Sequence, residues 1–104
     1  MSPFPLIYHD LYDLNLGDHV FQARKYPMLR DYLLRMKFAE TSDFIVPIPA
    51  TPEQAAAAHD PEWVARLWRG TLSYFEILKL EIPYSRKTVE AFFYATGGSI
   101  LTVR

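Results

Sequence analysis

Proline placement is the strongest constraint on this chain. Pro3 and Pro5 precede the first apolar run, Pro27 follows a basic pair, Pro47 and Pro49 interrupt an apolar stretch, and Pro52, Pro61 and Pro83 follow. Proline lacks a backbone N–H and fixes φ, so it starts helices and ends strands but seldom sits inside either. The elements must therefore be short.

Thr51-Pro52-Glu53-Gln54 has the order of a helix start: Thr51 caps, Pro52 takes the first position and Gln54 closes a capping box. Asp60-Pro61-Glu62 repeats the device, and Gly70 is placed to end that helix. Val64, Leu67 and Trp68 form its apolar stripe, with Trp63 beside it. Asp60 thus reads as an N-cap, and His59 just before it as a locally packed or hydrogen-bonded residue, neither as a catalytic group.

Phe4–Asp10 reads as a short buried strand through Leu6, Ile7 and Tyr8. Asp13 to Phe21 reads as a loop, whose leucines fold it back onto the body. Tyr26–Phe38 reads as a helix with Leu29, Leu33 and Met36 on one stripe and Met28 and Tyr32 beside it. Pro27 suits its first turn and would kink a helix begun near Gln22. Phe44, Ile45, Val46 and Ile48 form a second strand candidate, ended or edged by Pro47 and Pro49. Strand, helix, strand predicts a βαβ unit, right-handed by the usual rule.

The stretch from Leu72 to Tyr84 reads as a short helix or an apolar connector. The last twenty residues carry the longest helical pattern, with Val89, Phe92, Phe93, Thr96, Ile100 and Val103 at spacings of three and four. Gly97-Gly98-Ser99 lacks the lysine of a phosphate loop and reads as a place of close packing.

The 104 residues suit one domain, 1–104, with no repeat or linker. Half are hydrophobic and 15% aromatic, which argues against disorder and for apolar surface meeting a partner. A net charge of −1 points to neither nucleic acid nor an anionic membrane. The N-terminus lacks the basic and long apolar stretches of a signal peptide, and no run suits a membrane span, so a cytoplasmic protein is expected. With no cysteine, disulfides and thiolate metal sites are excluded. The three histidines, His9, His19 and His59, form no helical ligand pair. A site assembled in space from His9, Asp10, Asp18 and His19 stays open, with ordinary loop polarity as the plainer reading. No serine sits in a nucleophile elbow.

Three stretches together, PLIYHDLYDLNLGDHVFQARKYPMLRDYLL, AHDPEWVARLWRGTLSYFEILKLEIPYSR and EAFFYATGGSILTVR, resemble the N-terminal portion of the histone deacetylase superfamily, nearest its bacterial and class IV-like branch. The resemblance runs from about Pro5 to Arg104. It implies a partial arginase/deacetylase-like α/β fold, with a parallel sheet between helical layers. Family members hydrolyse acetyl-lysine or similar amides with a zinc ion held by two aspartates and a histidine, tandem histidines as acid and base, and a tyrosine on the carbonyl. Those groups come from segments after the Gly-Gly-Ser-Ile helix, and this sequence carries none of them.

Residue by residue, the resemblance places Tyr8 on a strand facing an internal cavity and Arg24 lining it. The loop from Asp13 to Phe21, with His19, would form part of a substrate-channel rim. Glu81 would fall near an acidic substrate-gripping position, although Glu81-Ile82-Pro83-Tyr84 departs from the usual Asp-containing pattern. No catalytic residue and no metal ligand is expected in this chain, and zinc only in a full-length relative. The expectation is a truncated deacetylase-like protein acting as a structural or interaction unit. Because a two-stranded sheet is marginal by itself, a homodimer or higher homo-oligomer is expected. The alternative is part of a zinc-dependent acetyl-lysine or acetylpolyamine deacetylase whose catalytic residues lie in a missing C-terminal region or a partner chain. A site built across a dimer from His9, His19 and nearby carboxylates is a third reading.

Overall fold

The computed structural model describes residues 3–14, 22–80 and 84–103. It is mixed α/β and mostly helical: β1 (Leu6–Ile7), α1 (Lys25–Arg35), β2 (Phe44–Ile45), α2 (Pro52–Ala56), α3 (Pro61–Arg69), α4 (Tyr74–Leu80) and α5 (Arg86–Thr102), with 3-10 turns at Asp10–Tyr12 and Thr41–Asp43. β1 and β2 pair in parallel, Leu6 opposite Phe44 and Ile7 opposite Ile45. The Tyr8 N–H extends the ladder by donating to the Ile45 carbonyl at 3.0 Å. The expected βαβ unit is present, with strands cut short by the flanking prolines.

Alternation along β1 gives the sheet two faces. Tyr8 shares one with Phe44, its ring 6.5 Å away, and the Arg30 guanidinium of α1 lies over both rings. Ile7 is on the other, against Gly98 of α5. The sheet thus has a helix on each side.

The helix starts follow local chemistry. Thr51 Oγ1 accepts from the Gln54 N–H at 3.1 Å and Gln54 returns the bond at 2.9 Å, the expected capping box. Asp60 Oδ1 accepts from the Glu62 N–H at 3.0 Å, and Gly70, at φ 77°, ends α3. Pro27 lies in the first turn of α1, where the first i→i−4 bond is donated by Met28, so the helix loses nothing to it. α4 resolves the ambiguous stretch as a helix. Its start is a second reciprocal box, Ser73 N–H to Glu76 Oε1 at 2.8 Å and Glu76 N–H to Ser73 Oγ at 3.2 Å. Ser85 caps α5 by accepting from the Thr88 N–H. α1 ends on Lys37 at φ 62°, with Lys37 and Phe38 donating to Leu34 and Leu33, a Schellman arrangement usually completed by glycine.

The core is small: Ala50, Val64, Val89 and Phe93, edged by Leu67, Trp68, Tyr84 and Ile100. It lies between α3 and the first half of α5. The Trp68 and Phe93 rings stand 4.8 Å apart. The buried face of α5 differs from the expected stripe. Thr88, Val89, Ala91, Phe93, Gly97 and Gly98 are buried, whereas Phe92 and Thr96 are exposed and Val103 is 85% exposed. The reason is steric. The segment leaving β2 crosses α5 at Gly97, where a Cβ would clash with the Ile48 carbonyl and lie 2.9 Å from the Ala50 nitrogen. The Ala50 N–H donates to the Phe93 carbonyl at 2.8 Å at this crossing. Val89 and Phe93 turn the first half of α5 inward, and smallness at Gly97 and Gly98 selects the inward face of the second half.

The expected stripe of α1 also turned out differently. Leu33 and Leu34 are half-buried beside Arg30, but Met28, Leu29, Tyr32 and Met36 point outward and α1 buries no residue.

Candidate functional site

Two concavities flank α5. The larger, about 320 Å³, lies between the end of β1 and the second half of α5 and includes Ile7, Tyr12, Tyr26, Gly98 and Ser99. Gly98 opens it: a Cβ there would clash with the Tyr12 hydroxyl and lie 3.2 Å from Ile7 Cγ2. The smaller, about 220 Å³, lies between α3 and α5 with His59, Trp63 and Thr96 on its wall.

Aromatic rings dominate the larger site. Tyr12 stands edge-on to Tyr8 at 5.8 Å and to Tyr26 at 6.0 Å. His9 stacks on Tyr94 at 3.9 Å. Its Nδ1 accepts from the Leu11 N–H at 3.0 Å, which places the imidazole proton on Nε2. The Tyr12 hydroxyl donates to the Tyr94 carbonyl at 3.4 Å. Burial raises the Tyr8 pKa, Asp10 adds to the rise and Arg30 opposes it. Burial also raises that of Tyr12, helped by Tyr26. Both phenols therefore stay protonated; of the two, Tyr12 lines the larger site, its hydroxyl bonded to the Tyr94 carbonyl, while Tyr8 stands with Phe44 on the opposite face of the sheet. The arrangement is an apolar concavity edged by Tyr12 and Tyr26, of a kind that accommodates an apolar or aromatic group.

Tyr8 is half-buried on its strand. Arg24 is exposed at the N-cap of α1, against a shallow hollow that includes Gln22 and Met28. The structure does not bring Arg24 to Tyr8; the cation there is Arg30, 5.4 Å from the ring centre. Arg30 precedes Leu33 and Leu34 by three and four residues, so it shares their helix face. His19 and Glu81 lie outside the described residues, as does the rim loop beyond Leu14, with Asp18. His59 is exposed, its N–H donating to the Ala55 carbonyl, and Asp60 caps α3 as expected. Among the described residues no three His, Asp or Glu side chains come together to hold a metal. No helix among them is long and apolar enough to cross a membrane.

No family model matches the chain. It is similar to an uncharacterized protein of Picosynechococcus sp. (strain ATCC 27264 / PCC 7002 / PR-6), 29% identical over 104 residues. The match takes in 97% of this chain and 34% of that protein, so the chain spans about a third of the length of the curated relative it matches.

Proposed function

We propose that this chain is the opening part of a deacetylase-like α/β framework, a structural and interaction unit without hydrolase activity of its own. The observation behind the partial character of the unit is coverage, 97% of the chain aligning within 34% of a longer protein, while its deacetylase-like character rests on the sequence resemblance. The parallel β1–α1–β2 unit with a helix on either side supports an arginase/deacetylase-like arrangement, and the small core supports incompleteness. In this reading the unit works in the cytoplasm, completed by association with other copies.

A second reading is favoured by the relative's greater length. The chain would then be one part of a zinc-dependent deacetylase of acetyl-lysine or acetylpolyamines, with the catalytic residues in further polypeptide. The described residues do not fit the zinc-holding set, which the resemblance assigns to later segments.

Zinc titration by calorimetry, with an acetyl-lysine peptide assay on the same sample, tests the first reading. The expected result is no saturable uptake and no deacetylation. Uptake of one zinc per chain or per dimer, with turnover, overturns it.

A further inference from the structure

The molecule is a slab, with principal extents of 47 × 32 × 16 Å. Its Cα radius of gyration is 15.6 Å, against about 13 Å for a compact domain of this length. It exposes 7639 Å², whereas a compact monomer of this mass exposes roughly 6,000 Å². The excess is about twice the roughly 800 Å² that each partner buries in an ordinary stable complex. A slab with that much surplus surface has a face meant to be covered.

The outer side of α1 is an exposed apolar face; smaller groups lie at Tyr74, Phe75 and Leu78 of α4 and at Val46 and Ile48 after β2. Met28, Leu29, Tyr32 and Met36 recur along it, continued by Phe38, and all five are at least 44% exposed. With Leu33 and Leu34 half-buried on the side that carries Arg30, α1 has apolar residues on two sides, a pattern that suits a helix buried on both.

Charge identifies the occupant. From Gln22 to Phe38 the chain carries five basic residues, of which Arg30 is turned to the Tyr8 and Phe44 rings, leaving Arg24, Lys25, Arg35 and Lys37 against one acidic residue, Asp31. From Ala39 to Ala65 it carries five acidic residues, Glu40, Asp43, Glu53, Asp60 and Glu62, and no basic one. Two-fold pairing sets each surface against its complement twice, since an isologous interface repeats every contact. We propose that a second copy of this chain covers the outer face of α1, the basic α1 segment of each copy meeting the acidic segment of the other. This rests on the reading of the chain as a framework unit and names the surface by which that unit associates.

Light scattering and sedimentation of the unmodified chain, with three groups of variants, test the proposal. The expected mass is twice the 12.1 kDa of one chain, with dissociation favoured by salt. Tyr32→Glu or, independently, Met28→Glu weakens the dimer by about thirtyfold or more, with helical circular dichroism retained. Phe75→Glu, at a site 73% exposed on α4, leaves it intact. Arg35→Glu with Lys37→Glu weakens it about tenfold, and adding Glu53→Lys with Glu62→Lys restores part of the loss. A dimer that resists both α1 variants and yields to Phe75→Glu overturns the proposal and leaves the framework reading standing. A folded monomer at all concentrations overturns it and removes the argument from surplus surface as well. Zinc uptake with turnover would instead strike the framework reading, whichever face pairs.

Discussion

α1 and α5 both carry large apolar side chains and use them to opposite ends. α5 buries six residues and receives a crossing backbone at Gly97 and a tyrosine at Gly98. α1 buries none, and its larger apolar residues face out. α5, the less charged of the two, supplies Val89 and Phe93 to the core, and its small residues add what α1 lacks: they let backbone approach closely and bring neighbouring N–H and C=O groups into reach.

The sharpest way to break this contrast is to fill the α5 crossing. Gly97→Ala gains about 1 kcal/mol of helix propensity. It also forces the Ile48–Ala50 backbone away and endangers the Ala50–Phe93 hydrogen bond, so a net loss of about 2–3 kcal/mol is expected in chemical denaturation. Gly98→Ala meets the end of a tyrosine side chain, which can turn aside, and should cost less than about 1 kcal/mol net. Equal losses would show that the two glycines do not differ as the crossing requires.

Away from α5, Asp60→Ala should cost about 1 kcal/mol through loss of the α3 cap, while Asp60→Asn keeps most of it. At the α1 terminus the sign reverses. Lys37→Gly should stabilise by about 1 kcal/mol, because a side chain in the left-handed region is removed. A loss there would mean that the lysine makes a contact worth more than its strain.

The smallest effect concerns pH. The Ser73 backbone N–H, followed by Arg66, holds the Glu76 carboxyl below its ordinary value. A pKa depressed in the folded state adds stability above the unfolded carboxylate value, lost as pH falls through the folded one. Thermal melts should therefore converge for the wild type and Glu76→Gln as the medium becomes more acidic than the carboxylate range. A gap unchanged by acid would refute the assignment.

The local signals were legible from the residues. Thr51, Asp60 and Gly70 act where their order placed them, since caps depend on three or four consecutive residues. Gly97 and Gly98 read correctly as packing positions, although what they pack against did not. The Ser73–Glu76 box is equally local, but the apolar run from Leu72 to Leu80 masks it in the sequence. The direction of α1 was not legible: with apolar residues on two sides, periodicity cannot say which side meets the sheet. The place of Arg30 over the Tyr8 ring follows from that same orientation.

Amide hydrogen exchange at a series of protein concentrations tests the central contrast most directly. α5 amides near Val89–Phe93 belong to the core of one chain, so their protection should be independent of concentration until the chain unfolds. Protection of α1 should rise with concentration as its outer face is covered. Protection of α1 that is the same at every dilution and equal to that of α5 would contradict the account, because it would make α1 complete within a single chain.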